Sequence, residues 1–277
     1  MKPNHKKTIL KDVTFLIPTR IESIERLENI IAVVEHLQEN FETNVMILEA
    51  SPRKTFILKK CLPENVEIYF VEDDNQIFHR TRYINDLVSL SKTPYIAIWD
   101  TDVIVKELQI SQSVELLRSQ KADFVFPYDG VFLEIGYVKR LEFLKKKEIS
   151  VLFDGIAKMF PLYGYFSVGG GFIANKVSYL EAGMENMHFD GWGPEDGERA
   201  TRWDILDFKV LRTIGPMFHL THPRGINSGM RKEEELNNGI KEYLRICKMS
   251  QMELKNEIAR WGIMHHDLSN TGNIEKI

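Results

Sequence analysis

Cysteine is scarce: Cys61 and Cys247 are the only two, and they lie far apart. They form neither a disulfide framework nor a CxxC metal site, which fits a reducing compartment. Long apolar runs are missing as well. The longest are strand-sized, well short of the ~20 residues a membrane span needs. Neither sign of charge dominates, with 36 Lys and Arg against 40 Asp and Glu. At a net −4 there is no global basic field to point to nucleic acid. The opening MKPNHKKTILKD has no apolar h-region, so no secretory leader is expected. Internal repeats and low-complexity linkers are also lacking. What remains is an ordinary globular composition over 277 residues, 43% hydrophobic, enough for a large core without staples. One large domain or two small ones fit that length.

The first half alternates strand and helix. Val13–Pro18 is a continuous apolar run, the pattern of a strand buried on both faces. Ser23 is placed to cap a following helix with apolar residues at helical spacing. Strands are expected at Asn44–Leu48, Glu67–Val71, Tyr95–Trp99 and Asp123–Phe126, and helices over 79–91 and 108–120. This predicts an α/β fold around an open, doubly wound, mostly parallel sheet. Ligands of such sheets sit outside the carboxyl ends of the strands. Pro18-Thr19-Arg20, Glu72-Asp73-Asp74 and Asp100-Thr101-Asp102 all occupy that edge. The second half is less regular. Residues 231–261 read as charged helix, and the last ten as frayed. The basic stretch 139–147 reads as a solvated helix face.

Several groups could carry chemistry. Asp100 and Asp102 at a strand end can reach one Mg²⁺ or Mn²⁺ ion, or form a capped turn. His219 and His222 could complete a metal sphere, favouring Mn²⁺, or be packed polar residues. Glu195 and Asp196, after Gly191-Trp192-Gly193-Pro194, could supply a general base with Trp192 as a flat wall for a sugar ring, or cap a helix. Gly169-Gly170-Gly171 lets backbone approach a ligand, or forms a flexible turn. It is neither a P-loop nor GxGxxG. Arg20 and Arg80 lie near the ligand edge and suit phosphate.

Taken in order, these pieces resemble a GT-A glycosyltransferase, most closely the β-1,4-galactosyltransferase family and its bacterial relatives. Ile77-Phe78-His79-Arg80-Thr81-Arg82-Tyr83-Ile84-Asn85 is similar to that family's IFNRAKLLN segment. Asp100-Thr101-Asp102 matches its DxD motif, the glycine run resembles GGVxALxK, and Gly191–Asp196 resembles GWGGED. Phe218–His222 falls where the family has its metal-binding Met/His segment. The resemblance covers roughly residues 12–228. It implies one catalytic domain over 1–228 and a helical extension over 229–277. Within the domain, about 12–105 would form the nucleotide-binding half and about 106–228 the acceptor and donor-sugar half. It also implies inverting transfer of a Gal- or GalNAc-type sugar from a UDP-sugar to a glycan, glycolipid or protein acceptor.

Site residues follow by the same resemblance. Pro18 and Arg20 would bind uridine, Phe78 would stack on uracil, and Arg80 would contact the nucleotide. Asp73 would read the uracil edge and Asp100 would support the donor's ribose or sugar. Gly170, Gly171 and Trp192 would line the donor. Asp102 and His222 would hold Mn²⁺ or Mg²⁺, with His219 as a second imidazole where the family often has Met. Asp196 would be the base, and Glu195 would hold sugar hydroxyls. The family's disulfide-bearing, Golgi-anchored context is missing, so a cytoplasmic enzyme is expected, with membrane association only through a partner or a lipid-linked acceptor. Two other readings compete. A nucleotidyltransferase would carry a Gly-rich loop after the first strand, which Pro18-Thr19-Arg20-Ile21-Glu22 is not. A non-catalytic carbohydrate-binding module would have broken motifs.

Overall fold

The computed structural model describes residues 6–189, 191, 193–225, 227, 233–268 and 274–277. The first half alternates β1 (Thr8–Thr19), α1 (Ile24–Asn40), β2 (Phe41–Ser51), α2 (Ile57–Cys61), β3 (Glu67–Glu72), α3 (Arg80–Leu90) and β4 (Tyr95–Trp99). Then come β5 (Val103–Ile104), α4 (Glu107–Arg118), β6 (Phe124–Phe126), β7 (Phe132–Ile135), α5 (Tyr137–Lys146) and α6 (Ser150–Phe153). The chain goes on through β8 (Gly171–Asn175), α7 (Lys176–Glu181), α8 (Glu195–Ile205), β9 (Val210–Arg212) and β10 (Met217–Leu220). It ends with α9 (Glu233–Cys247), α10 (Gln251–Leu268) and β11 (Glu275–Lys276).

The result is a mixed α/β fold. Eight strands form a central sheet in the order β11-β3-β2-β1-β4-β8-β6-β9, and β5-β10-β7 form a smaller one. β1 is hydrogen-bonded on both sides, to β2 and β4, which explains its unbroken apolar run. Ser23 caps α1 by accepting the Arg26 N–H. From β1 the chain steps outward to β2 and β3, then returns to place β4 on the other side of β1. Right-handed crossovers therefore put α1 and α3 on opposite faces, the doubly wound arrangement expected. The strand ends diverge between β1 and β4, and that switch point is where a ligand crevice forms.

The sheet is mostly parallel, as expected; between β4 and β6, β8 runs antiparallel. It enters from a glycine turn and needs no helical crossover. Of the last ten residues, expected to be frayed, 269–273 lie outside the described ones, while Glu275 and Lys276 pair antiparallel with Phe70 and Tyr69 at the β3 edge. Lys276 and Lys54 add ion pairs with Glu67 and Glu275 there. The C-terminal helices have their own small core of Ile246, Leu254 and Trp261, set against Ile205 and Leu206 around the end of α8.

Candidate active site

A cavity of about 410 Å³ opens at the C-terminal ends of β1 and β4. β4 runs straight into Asp100-Thr101-Asp102, and β5 follows at once. β5 pairs antiparallel with β10, setting Val103 opposite His219, and the Leu220 N–H donates to the Asp102 carbonyl at 2.7 Å. This short ladder carries both histidines to Asp102. Side chains alternate along β10, so fully buried Phe218 and Leu220 face away from His219.

Asp102, His219 and His222 are buried, and one ligand atom from each lies within 4.8 Å of the others. His222 Nε2 is 3.2 Å from Asp102 Oδ2, and His219 Nε2 is 3.6 Å from Oδ1. His222 Nδ1 donates to the Pro223 carbonyl at 2.9 Å, which turns Nε2 toward Asp102. Glu134 Oε2 lies 3.0 Å from His219 Nδ1, close enough to hold that ring although the angle is poor for a hydrogen bond. Two imidazoles and a carboxylate converging on one point call for a proton or a metal ion between them. The donor set fits a first-row divalent ion such as Mn²⁺, and fits Mg²⁺, which prefers oxygen alone, less well. Burial by itself would raise the Asp102 carboxyl, but His219, His222 and Arg26 outweigh it and hold it well below the usual carboxylate range.

The second carboxylate group stands on the first turn of α8. Asp196 Oδ1 accepts from Arg199 Nη2 at 2.5 Å, and the same guanidinium donates to Glu185 Oε2 at 2.8 Å. Tyr179 donates to the other Glu185 oxygen at 2.7 Å. Arg199 and Glu185 are both buried, so Asp196 hangs from a rigid charged network. Glu195 is different. Burial, and then the charge of Asp196, push its carboxyl up to about 8 against the pull of Arg80. Its Oε2 makes no hydrogen bond, and neither does Arg80 Nη1, 4.0 Å from Glu195 Oε1 and 3.8 Å from Asp196 Oδ1. Buried polar atoms left unpaired are rare and mark a place where a ligand would complete the bonding.

Arg80 Nη2 also donates to Asp100 Oδ1 at 2.7 Å, so one guanidinium braces the tip of β4 to α8. Arg20 is fully engaged, donating to the carbonyls of Ala50 and Asn75 and to Asp73 Oδ2. Its guanidinium also lies over Phe78, 5.6 Å from the ring centre. Gly170 has φ +83°, and a Cβ there would strike the Met217 sulfur at 2.5 Å. A Cβ on Gly169 would come 2.8 Å from Asp196 Oδ2. The glycine run thus lies flat beneath the α8 carboxylate.

Pro18, Arg20, Phe78, Arg80, Asp100, Asp102, Gly170, Glu195, Asp196, His219 and His222 all line this one cavity. Gly171 does not, since it packs against Trp99 in β8. Asp73 sits behind Arg20 instead of at the cavity wall. Its Oδ2 accepts from Arg20 and from the Tyr83 hydroxyl, and its Oδ1 accepts the Asn75 N–H. With both oxygens taken, it is not presented to a base. Trp192 lies outside the described residues. Sequence reasoning missed Glu134, Arg26 and Arg199. A lone acid inside the apolar run Phe132-Leu133-Glu134-Ile135 was the available signal for the first.

No family profile and no curated protein matches the sequence. Among solved structures, the chain is similar to the catalytic domain of Drosophila β1,4-galactosyltransferase 7 in complex with xylobiose. Identity is 16%, covering 84% of this chain and 79% of that one, with a TM-score of 0.49. A mutant of the same Drosophila enzyme, in complex with manganese, UDP-Gal and xylobiose, aligns at 14% identity over 86% and 79%, with a TM-score of 0.48.

Proposed function

We propose that this chain is an inverting, metal-dependent glycosyltransferase. It moves a hexose or N-acetylhexosamine, Gal- or GalNAc-type, from a UDP-sugar to a hydroxyl of a glycan, glycolipid or protein acceptor. The observation that carries the reading is the meeting of Asp102, His219 and His222 with Glu195, Asp196 and Arg80 around one cavity. Its volume suits a nucleotide-sized ligand.

Asp102, His219 and His222 would hold Mn²⁺, or less favourably Mg²⁺, which when bound neutralises charge on the departing diphosphate. Pro18 and Phe78 would seat the uracil, with Arg20 held in shape by Asp73. Arg80 offers its unbonded Nη1 to the donor, beside Asp100. Gly170, Gly171 and Trp192 remain assigned to the donor sugar, Gly171 through its backbone. Asp196, held by two arginines, is the carboxylate that takes the acceptor proton. Glu195, protonated near neutrality, donates a hydrogen bond to a sugar hydroxyl. The acceptor oxygen bonds to C1 as the C1–O bond to UDP breaks on the opposite face. An α-linked donor then gives a β product.

General-base catalysis contributes about 10²–10⁴-fold. Asp196→Asn should therefore lose turnover of UDP-sugar by about that factor while keeping UDP affinity. Asp102→Ala should abolish Mn²⁺-dependent UDP binding. Calorimetry with UDP and Mn²⁺, beside donor-hydrolysis rates, separates the two. Full transferase activity in Asp196→Asn would refute the base assignment, and tight UDP-sugar binding without turnover on any acceptor would leave a binding module.

A further inference from the structure

The stretch between β7 and β8 carries a strip of exposed apolar surface, part of it on the cavity rim. Tyr137, Val138 and Leu141 share one outward face of α5, and Val138 is 84% exposed. Phe160 is 81% exposed, and Tyr165 and Phe166 are nearly as bare. Hydrogen bonding places Phe160 and Phe166 along β7. Residues 160–162 run antiparallel along the outer edge of β7, with the Glu134 N–H donating to the Phe160 carbonyl and the Leu162 N–H to that of Phe132. Phe160 therefore lies at the end of β7 from which α5 departs. Phe166 lies at the other end, its backbone against Gly130. Four residues of β7 separate the two, roughly 13 Å at about 3.3 Å per residue. Residues 162–168 also form the rim of the cavity.

Residues 137–166 hold six Lys and Arg against three Asp and Glu. Arg140 is buried against Asn29 and Glu28, Lys139 and Lys146 pair with Glu142, and Lys147 pairs with Glu35, which leaves Lys145 and Lys158 as the lysines the strip presents. Lys145 continues the exposed face of α5 seven residues beyond Val138, and Lys158 stands two residues before Phe160. A protein partner is normally met by a fitted, partly sheltered patch. These side chains protrude singly and are aromatic or aliphatic with lysines between them, the composition that enters the headgroup layer. No helix among the described residues is long and apolar enough to cross a membrane.

We infer that this strip docks the protein onto an anionic lipid bilayer, with the cavity mouth turned toward the headgroups. The lysines meet the lipid charge, and Val138, Leu141 and Phe160 enter the interface. Membrane contact stands on the strip alone; that it brings an acceptor hydroxyl on a lipid to Asp196 rests on the transferase reading.

The test is co-sedimentation of the full chain with phosphatidylcholine vesicles, with and without phosphatidylglycerol. Binding is expected with phosphatidylglycerol and should weaken with salt. Lys145→Glu and Lys158→Glu should each reduce it by about fivefold or more. The triple variant Val138→Ser, Leu141→Ser, Phe160→Ser should lose at least tenfold. None of these residues lines the cavity, so UDP–Mn²⁺ binding and the melting curve serve as controls for folding. Retained UDP binding with vesicle binding lost supports the strip and leaves the transferase reading untouched. No sedimentation with anionic vesicles, or equal sedimentation of wild type and variants, overturns the inference. So does a dimer in light scattering that the triple variant dissolves, since the strip would then bind a second copy.

Discussion

Glu195 and Asp196 stand side by side, yet their surroundings push their protons apart. The folded protein raises Glu195 from its ordinary 4.5 to about 8. It keeps this proton where the unfolded chain has already released it. That contribution to stability is complete below pH 4.5 and is lost as pH rises through about 8. Glu195→Gln has no such proton, so its stability should gain on the wild type across that window, by an amount on the order of a few kcal/mol, and its melting temperature should rise with it. Parallel melting profiles from pH 4.5 to 8 would rule this out. The acid pair and the histidines were legible because each follows a local mark, a Trp-Gly-Pro turn or an apolar run. Arg199 was not, because in sequence it is an ordinary helical arginine. Its meaning comes from Glu185, delivered from beyond the end of α7.

At the scale of elements, the site depends on register. β7 lies parallel to β10 with Glu134 opposite His219, and a slip of one residue would turn the acid to the other face. Glu134→Gln keeps the shape and removes the charge. Mn²⁺ affinity, read by paramagnetic resonance, should fall about 10–100-fold, as for other groups that orient a ligand; unchanged affinity would show that His219 needs no such support. The glycine run acts in the same way on Asp196. In Gly169→Ala the new methyl would press on a carboxylate that Arg199 holds from the other side. Turnover should fall by up to about 100-fold with UDP affinity retained, and equal loss of both would count against a purely positional effect. Long buried strands such as β1 and β4 were readable from composition alone. β7, β9 and β11 were not, since runs of two to four residues have no period to read and exist only because a neighbour pairs with them.

Over the whole molecule, the extension braces the helix that carries the acid pair. Arg202 of α8 donates to the Met184 carbonyl at 2.9 Å and to Glu198, and its guanidinium lies 5.3 Å from the centre of the Trp261 ring. Trp261→Ala should cost about 3–5 kcal/mol. Hydrogen exchange should quicken in α8–α10 and leave β1–β4 protected, whereas uniform loss of protection would mean the extension is not a separate cooperative unit. The sequence set off residues 229–277 as helical, but their service to α8 was out of reach, because a helical period does not say which neighbour its apolar side will meet. The direction of β8 has one more consequence. β8 enters the sheet at the edge where β1 and β4 leave it, with Gly171 wedged against Trp99 and Gly170, just before the strand, against Met217. The chain upstream can lengthen, shorten or change its residues without moving the ladder that follows. The rim of the cavity can thus be recut while the carboxylates and imidazoles of its floor stay where they are.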